Sequence, residues 1–230
     1  MLHHLDTLRR RALAATLVIA AVSLAVAQTT GVHPISGRRF AEVMDASGAA
    51  WLDRSERDLE EAPDTALDII SVKKGSTVAD IGAGSGYMTV RLAKRVGDKG
   101  MVYANDIQPA MLELLERRLK SAKLTNVTPI LGSIDDPKLP PASIDMALMV
   151  DVYHELSRPQ EMLRHIREAL KPGGRLVLLE YRKEDPSIPI RPEHKMSVAE
   201  AKRELEAEGF KLARVADELP RQHVLIFTKR

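Results

Sequence analysis

From Asp64 onward the chain alternates short apolar runs with longer amphipathic ones. Thr77–Ile81, Met101–Asn105, Val127–Leu131, Ile144–Val150, Arg175–Glu180, Lys211–Ala216 and His223–Thr228 have the length and composition of strands. Between them, Ser85–Val96, Gln108–Ala122, Arg158–Leu170 and Ser197–Gly209 space their apolar residues three and four apart, the helical period. One more helix is predicted from Asp64 to Val72, ended by Lys73-Lys74-Gly75. Strands alternating with helices of this length predict an α/β domain. Its seven-stranded, mostly parallel sheet carries helices on both faces. Runs 77–81 and 144–150 suit strands covered on both sides. The connection Asp217–Gln222 is too short for a helical crossover, so the last strand is expected to be antiparallel.

Ahead of Asp64 the rhythm changes. Residues 28–63 carry Gly31, Pro34, Gly37 and Gly48, while Phe40, Val43, Met44 and Trp51 can pack one amphipathic face. This predicts an N-terminal helical segment covering the site of the main domain, which is assigned residues 64–230. Residues 1–27 have the pattern of a signal peptide. Arg9-Arg10-Arg11 precedes an uncharged run from Ala12 to Ala27, which ends in Ala25-Val26-Ala27. That run is shorter than the roughly 18–20 residues needed to cross a bilayer. The expectation is a cleaved signal and an exported, periplasmic or otherwise extracytoplasmic protein with no stable membrane span after cleavage. Left uncleaved, the segment would be an anchor with the body outside the cytoplasm. Arg10-Arg11 also fits a twin-arginine export signal loosely.

Composition narrows the function classes. Lys+Arg number 34 against 32 Asp+Glu, and removing residues 1–27 makes the two signs equal. A dedicated nucleic-acid binder carries a basic excess, so no nucleic-acid partner is expected. Cysteine is absent, which excludes disulfides, Cys-ligated zinc and a thiol nucleophile. The His, Asp and Glu residues show no metal-ligand spacing, and no metal is predicted. Aromatics at 3% leave little for a base-stacking platform. Oligomeric state is open.

The chemistry concentrates in Val78-Ala79-Asp80-Ile81-Gly82-Ala83-Gly84-Ser85-Gly86-Tyr87, an apolar strand running through three glycines into a helix. Glycines let backbone approach a ligand closely, and the helix start offers free N–H groups. The next strand leads to Asp106, whose carboxylate can accept both hydroxyls of a ribose at the strand's carboxyl end. The spacing is G-x-G-x-G rather than the dinucleotide G-x-G-x-x-G, and Asp80 precedes it. An acid there repels a pyrophosphate and suits an ammonium or sulfonium. Local readings stay open: Asp80 could cap the following turn, and Asp106 the helix that begins near Pro109.

With the later Lys171-Pro172-Gly173-Gly174, these motifs resemble the class I S-adenosylmethionine-dependent methyltransferase family from about Asp64 to Lys229. The resemblance implies a Rossmann-like sheet with S-adenosylmethionine as cofactor. It implies that Asp80, Gly82, Gly84 and Gly86 hold the methionine part, Asp106 the ribose, and Ile107 the adenine. Ile134 and Asp135, in Gly132-Ser133-Ile134-Asp135, would read the adenine edge. Relatives often have an acid where Ser133 stands, which shifts weight to Asp135 or to backbone. Asp151-Val152-Tyr153-His154 ends the fourth strand, where the family places cofactor and substrate contacts.

The substrate side is expected at Tyr153, His154 and Glu155, and at Glu180, Tyr181 and Arg182. His154 is the candidate general base and Tyr153 its catalytic neighbour. His154 could equally hydrogen-bond backbone at a strand end. The polar, Pro-rich loop 182–196 brings Arg191, His194 and Lys195, either toward an anionic group or as a connector. The function expected is methyl transfer to a small-molecule or lipid-like acceptor. A nicotinamide-dependent oxidoreductase or a non-catalytic S-adenosylmethionine-binding protein are the alternatives.

Overall fold

The computed structural model describes residues 31–230, so the signal expected in 1–27 lies outside the described residues. Seven strands form one sheet: β1 (Thr77–Ile81), β2 (Met101–Asp106), β3 (Val127–Leu131), β4 (Ile144–Val150), β5 (Leu170–Tyr181), β6 (Phe210–Ala216) and β7 (Gln222–Lys229). Their order is β3-β2-β1-β4-β5-β7-β6. Strands β3 to β5 pair in parallel, and β7 runs antiparallel to both neighbours. The Rossmann-like, mostly parallel sheet with an antiparallel last strand is therefore the fold. The chain leaves β1 toward β2 on one side and returns to β4 on the other, so a crevice opens at the carboxyl ends of β1 and β4.

The alternation within each strand explains the layers. Ala79, Ala147 and Leu178 face a cluster completed by Met162, Leu163 and Ile166 of α6 (Pro159–Ala169) and by Ala201 and Leu205 of α7 (Val198–Ala207). Val78, Leu148 and Val177, one residue out of phase, face Leu67 and Ile70 of α3 (Pro63–Ile70) and Leu92 and Val96 of α4 (Tyr87–Val96). Each fully buried Leu or Ile contributes about 1.5–3 kcal/mol. The fifth helix, α5 (Pro109–Ala122), buries Met111, Leu115 and Leu119.

Two boundaries differ from the periodic reading. The helix expected from Ser85 starts at Tyr87, because Gly86 adopts φ +87° and ends the loop. The strand expected from Arg175 begins at Leu170, because Leu170 already pairs with Ile144. Lys171-Pro172-Gly173-Gly174 then bulges out before Arg175 takes up register with Met146.

Residues 31–61 include α1 (Ala49–Leu52) and α2 (Arg57–Glu61). This segment is fastened by buried polar contacts rather than by an apolar stripe. Arg38 grips Glu204 of α7 through Nε (3.1 Å) and Nη2 (3.0 Å) and donates from Nη1 to the His154 carbonyl (2.9 Å). Ala41 N–H donates to the same carbonyl at 3.0 Å. Arg57 donates to Glu61 (2.7 Å) and to the Leu52 carbonyl (2.8 Å). Among the described residues no helix is long and apolar enough to cross a membrane.

Candidate active site

A cavity of about 590 Å³ lies at the carboxyl ends of β1, β2 and β4. Asp80, Gly82 and Gly84 form its floor, and Val43, Met44 and Trp51 stand in its opposite wall. Of the residues singled out by sequence, Ile107, Ile134, Asp151 and His154 also line it.

The glycine loop is tied to the end of β2. Gly82 and Ala83 N–H both donate to the Asn105 carbonyl, at 2.9 Å each, and Gly84 N–H donates to Asp106 Oδ2 at 2.9 Å. Asp106 Oδ1 accepts from Gln108 N–H at 2.9 Å. Asp106 thus braces the residue ahead of α5 but is not the cap of that helix, whose N-cap is Gln108 without a side-chain cap bond. Each carboxylate oxygen has a second lone pair, and the residue stands in the cavity wall. Burial raises its pKa, against the lowering by the backbone N–H groups of Gln108 and Gly84. Gly82 has φ +72°, and a Cβ there would come within 2.5 Å of Val152 Cγ2.

Asp80 is 2% exposed, and its Oδ2 accepts from the Thr89 hydroxyl at 2.6 Å. It bonds into α4, so it is not a cap of its own turn. Burial pushes its carboxyl up to about 6. Asp151 sits at φ +53°; its Oδ2 accepts from Gln222 Nε2 at 2.7 Å, and its buried Oδ1 has no hydrogen-bond partner. Burial, with Glu61 and Glu180 nearby, raises the Asp151 carboxyl. Buried acids carrying a raised pKa and a vacant acceptor atom suit a ligand with a positive charge. The residues present fit S-adenosylmethionine, which is cationic at its sulfonium and its ammonium.

Of the residues singled out by sequence, Gly86, Asp135, Tyr153, Glu180, Arg182 and Lys195 do not line the cavity. Gly86 turns away from it; a Cβ there would meet Leu115 Cδ1 at 2.4 Å, so its smallness serves the packing of α5. Asp135 is held outside by the Ser133 hydroxyl (2.7 Å) and by Arg158 (3.0 Å), leaving Ser133 and Ile134 to line that end. The Tyr153 side chain is wholly buried under the Arg38 guanidinium, 5.4 Å from the ring centroid, and reaches no reacting atom. Its backbone contributes instead, since Tyr153 N–H donates to Glu180 Oε1 at 2.9 Å.

Sequence reasoning placed Glu180 near the site without a role. It is fully buried, and its Oε2 lies 2.6 Å from His154 Nδ1. Burial lowers the His154 pKa, but the charge and hydrogen bond of Glu180 more than offset this, and the net shift is upward. His154 Nε2 lies 3.2 Å from His194 Nδ1, on the short 3-10 turn Pro192–His194. Glu155, pushed up to about 7 chiefly by burial, completes the group. Donor atoms of His154, Glu155 and His194 all lie within 4.8 Å of one another. Their linear spacing shows no motif, because His194 arrives from the 182–196 loop. Of the loop's other cations, Arg191 also lines the cavity, whereas Lys195 is buried and donates to the carbonyls of Asp185 (3.1 Å) and Ile188 (2.7 Å).

The chain is similar to known proteins in sequence and in fold. A family model described as a methyltransferase domain matches residues 72–220. A SAM dependent methyltransferase from Aquifex aeolicus is 30% identical, with a TM-score of 0.75 over 81% of this chain and 98% of its own. The cyclase SpnF, 16% identical with a TM-score of 0.63 over 85% of this chain and 88% of its own, shares the fold. The ubiquinone/menaquinone biosynthesis C-methyltransferase UbiE of Enterobacter sp. (strain 638) is 30% identical over 118 residues, 51% of this chain and 47% of that protein. The chain thus spans about half the length of the curated relatives it matches. With the family model covering most of the chain, and the glycine loop, Asp80 and Asp106 meeting in one cavity, the chain belongs to the class I S-adenosylmethionine-dependent methyltransferase family.

Proposed function

We propose that the protein transfers a methyl group from S-adenosylmethionine to a small, partly apolar acceptor of lipid-like character. One observation carries this reading: a single cavity joins the Asp80–Asp106 end to the His154–His194 end under an apolar wall of Val43, Met44 and Trp51. When bound, S-adenosylmethionine supplies an electrophilic methyl group on a positively charged sulfur. Asp80 and the glycine loop hold its methionine part, Asp106 its ribose, and Ile107 and Ile134 flank its adenine. The acidic floor attracts the cation and disfavours a pyrophosphate, which speaks against a nicotinamide dinucleotide.

At the acceptor end Glu180 keeps the proton on His154 Nδ1 and leaves Nε2 with its lone pair. That nitrogen is the group positioned to take a proton from an acceptor hydroxyl. Segment 31–61 acts as the roof, excluding water and aligning the acceptor with the methyl group. The C-methyltransferase relative supports a small-molecule acceptor. The Arg9–Ala27 pattern supports export.

Calorimetric titration of the purified protein with S-adenosylmethionine, S-adenosylhomocysteine and NAD tests the reading. Binding of the first two without NAD heat is expected. Binding of NAD alone, or of none of the three, would overturn it.

A further inference from the structure

We infer that His154, Glu155 and His194 form a binding site for one divalent transition-metal ion of the zinc type, at the acceptor end of the cavity. The inference extends the methyltransferase reading of this site, although the binding of the ion does not depend on that reading.

The geometry carries it. Glu180 Oε2, 2.6 Å from His154 Nδ1, fixes the tautomer and turns the Nε2 lone pair outward. A carboxylate behind a histidine in this way is the usual support of a metal-ligating imidazole. Nε2 meets His194 Nδ1 at 3.2 Å, with the two rings nearly perpendicular and their centroids 5.1 Å apart. Two nitrogens bound tetrahedrally to zinc at their normal bond lengths stand roughly 3.3 Å apart. The pair is therefore already at ligand spacing. Glu155 Oε1, 4.0 Å from Nε2, supplies the carboxylate and must draw closer on binding. The three side chains all line the cavity, so the remaining position opens onto the acceptor space.

The scaffold is prepared on both sides. His154 and Glu155 share one 3-10 turn, Tyr153–Glu155, whose carbonyl at His154 is held by Arg38 and Ala41. His194 is placed by the buried Lys195 ammonium, which ties the loop to the carbonyls of Asp185 and Ile188, and by the bridge between Arg182 and Met196. Two histidines and one carboxylate are the donor set of an open zinc site, in which the fourth position takes water or substrate. Here that position would take an oxygen of the acceptor, which points to hydroxyl- or enol-bearing acceptors. With the ion in place His154 is a ligand, and lowering of the coordinated oxygen's pKa replaces its service as a base.

The test uses tag-free, chelator-stripped, full-length protein titrated with Zn²⁺ by calorimetry and with Co²⁺ by visible absorption. One saturable equivalent is expected, with the intense visible bands of a four- or five-coordinate Co²⁺ site. His194→Gln, on a surface loop, should abolish that signal. Glu180→Gln should weaken binding by about 10–100-fold. His3 and His4 make the loop variant decisive: signal that persists in His194→Gln comes from elsewhere and overturns the site. Absence of saturable binding in the parent protein also overturns it. S-adenosylhomocysteine titrated into the same sample reports the cofactor reading separately. Metal binding without nucleoside binding sinks that reading alone, and the reverse result sinks the metal site alone.

Discussion

At the scale of one residue, Asp80 shows how a buried carboxyl in the cavity works against the fold that carries it. Its carboxyl is buried, has one side-chain hydrogen bond to Thr89, and is lifted from 3.8 to about 6. A carboxyl with a raised folded pKa binds its proton more tightly in the native state than in the unfolded chain. Its ionisation therefore costs stability progressively between about pH 4 and pH 6, and fully above that. Asp80→Asn keeps an acceptor for the Thr89 hydroxyl and removes the charge. The cofactor-free variant should be more stable than the parent at neutral pH by up to about 3 kcal/mol, and equal to it near pH 4. Urea unfolding at the two pH values measures this. The same variant should lose most of its S-adenosylhomocysteine affinity, because the ammonium has lost its partner. Equal stability at both pH values would show that the carboxylate is solvated through the cavity mouth.

At the scale of elements, the glycine loop and the helices around it separate what was legible in sequence from what was not. Asp80, Gly82, Gly84 and Asp106 were legible because one strand-loop-helix unit and the next strand hold them all, and their spacing survives folding. The strand and helix order was legible for the same reason: periodicity is local. The packing role of Gly86 was not legible, because a glycine in sequence does not say what its missing Cβ would have struck. Here that neighbour is Leu115 of α5, at 2.4 Å, with φ at +87°. Gly86→Ala should destabilise the protein by about 1–3 kcal/mol, read by urea unfolding. Combined with Leu115→Ala, the loss should be clearly less than additive, since the second change removes the clash. Strict additivity would place the strain in the loop backbone instead. The Glu180–His154–His194 array was not legible, because its members sit on β5, on the turn after β4 and in a distant loop. The parallel pairing of β4 with β5, the stapling of the loop by Lys195 and the bridge between Arg182 and Met196 bring them together.

At the scale of the whole molecule, the N-terminal segment and the sheet domain are joined by a charge cluster that no amphipathic pattern announces. Arg38 and Glu204 are almost wholly buried, with His33 Nε2 3.3 Å from the same carboxylate. The Arg38 guanidinium also lies 5.4 Å from the Tyr153 ring centroid and holds the His154 carbonyl. Segment, acceptor-side turn and α7 therefore meet at one junction, which anchors the segment that supplies the cavity wall of Val43, Met44 and Trp51. Removing one charge leaves the other buried without its partner, so Arg38→Ala should cost about 3–5 kcal/mol. Replacing both, as Arg38→Met with Glu204→Leu, removes the pair together with its desolvation penalty and should recover most of that loss. The two variants divide stability from function. If the segment needs only to be anchored, the double variant should regain ligand affinity along with stability. If the grip of Arg38 on the His154 carbonyl sets the acceptor-side geometry, the double variant should fold normally, bind S-adenosylhomocysteine as the parent does, and still turn over slowly. The two chemically distinct ends of the cavity predict the second outcome, because the Asp80–Asp106 end is built without Arg38 and the His154 end is not.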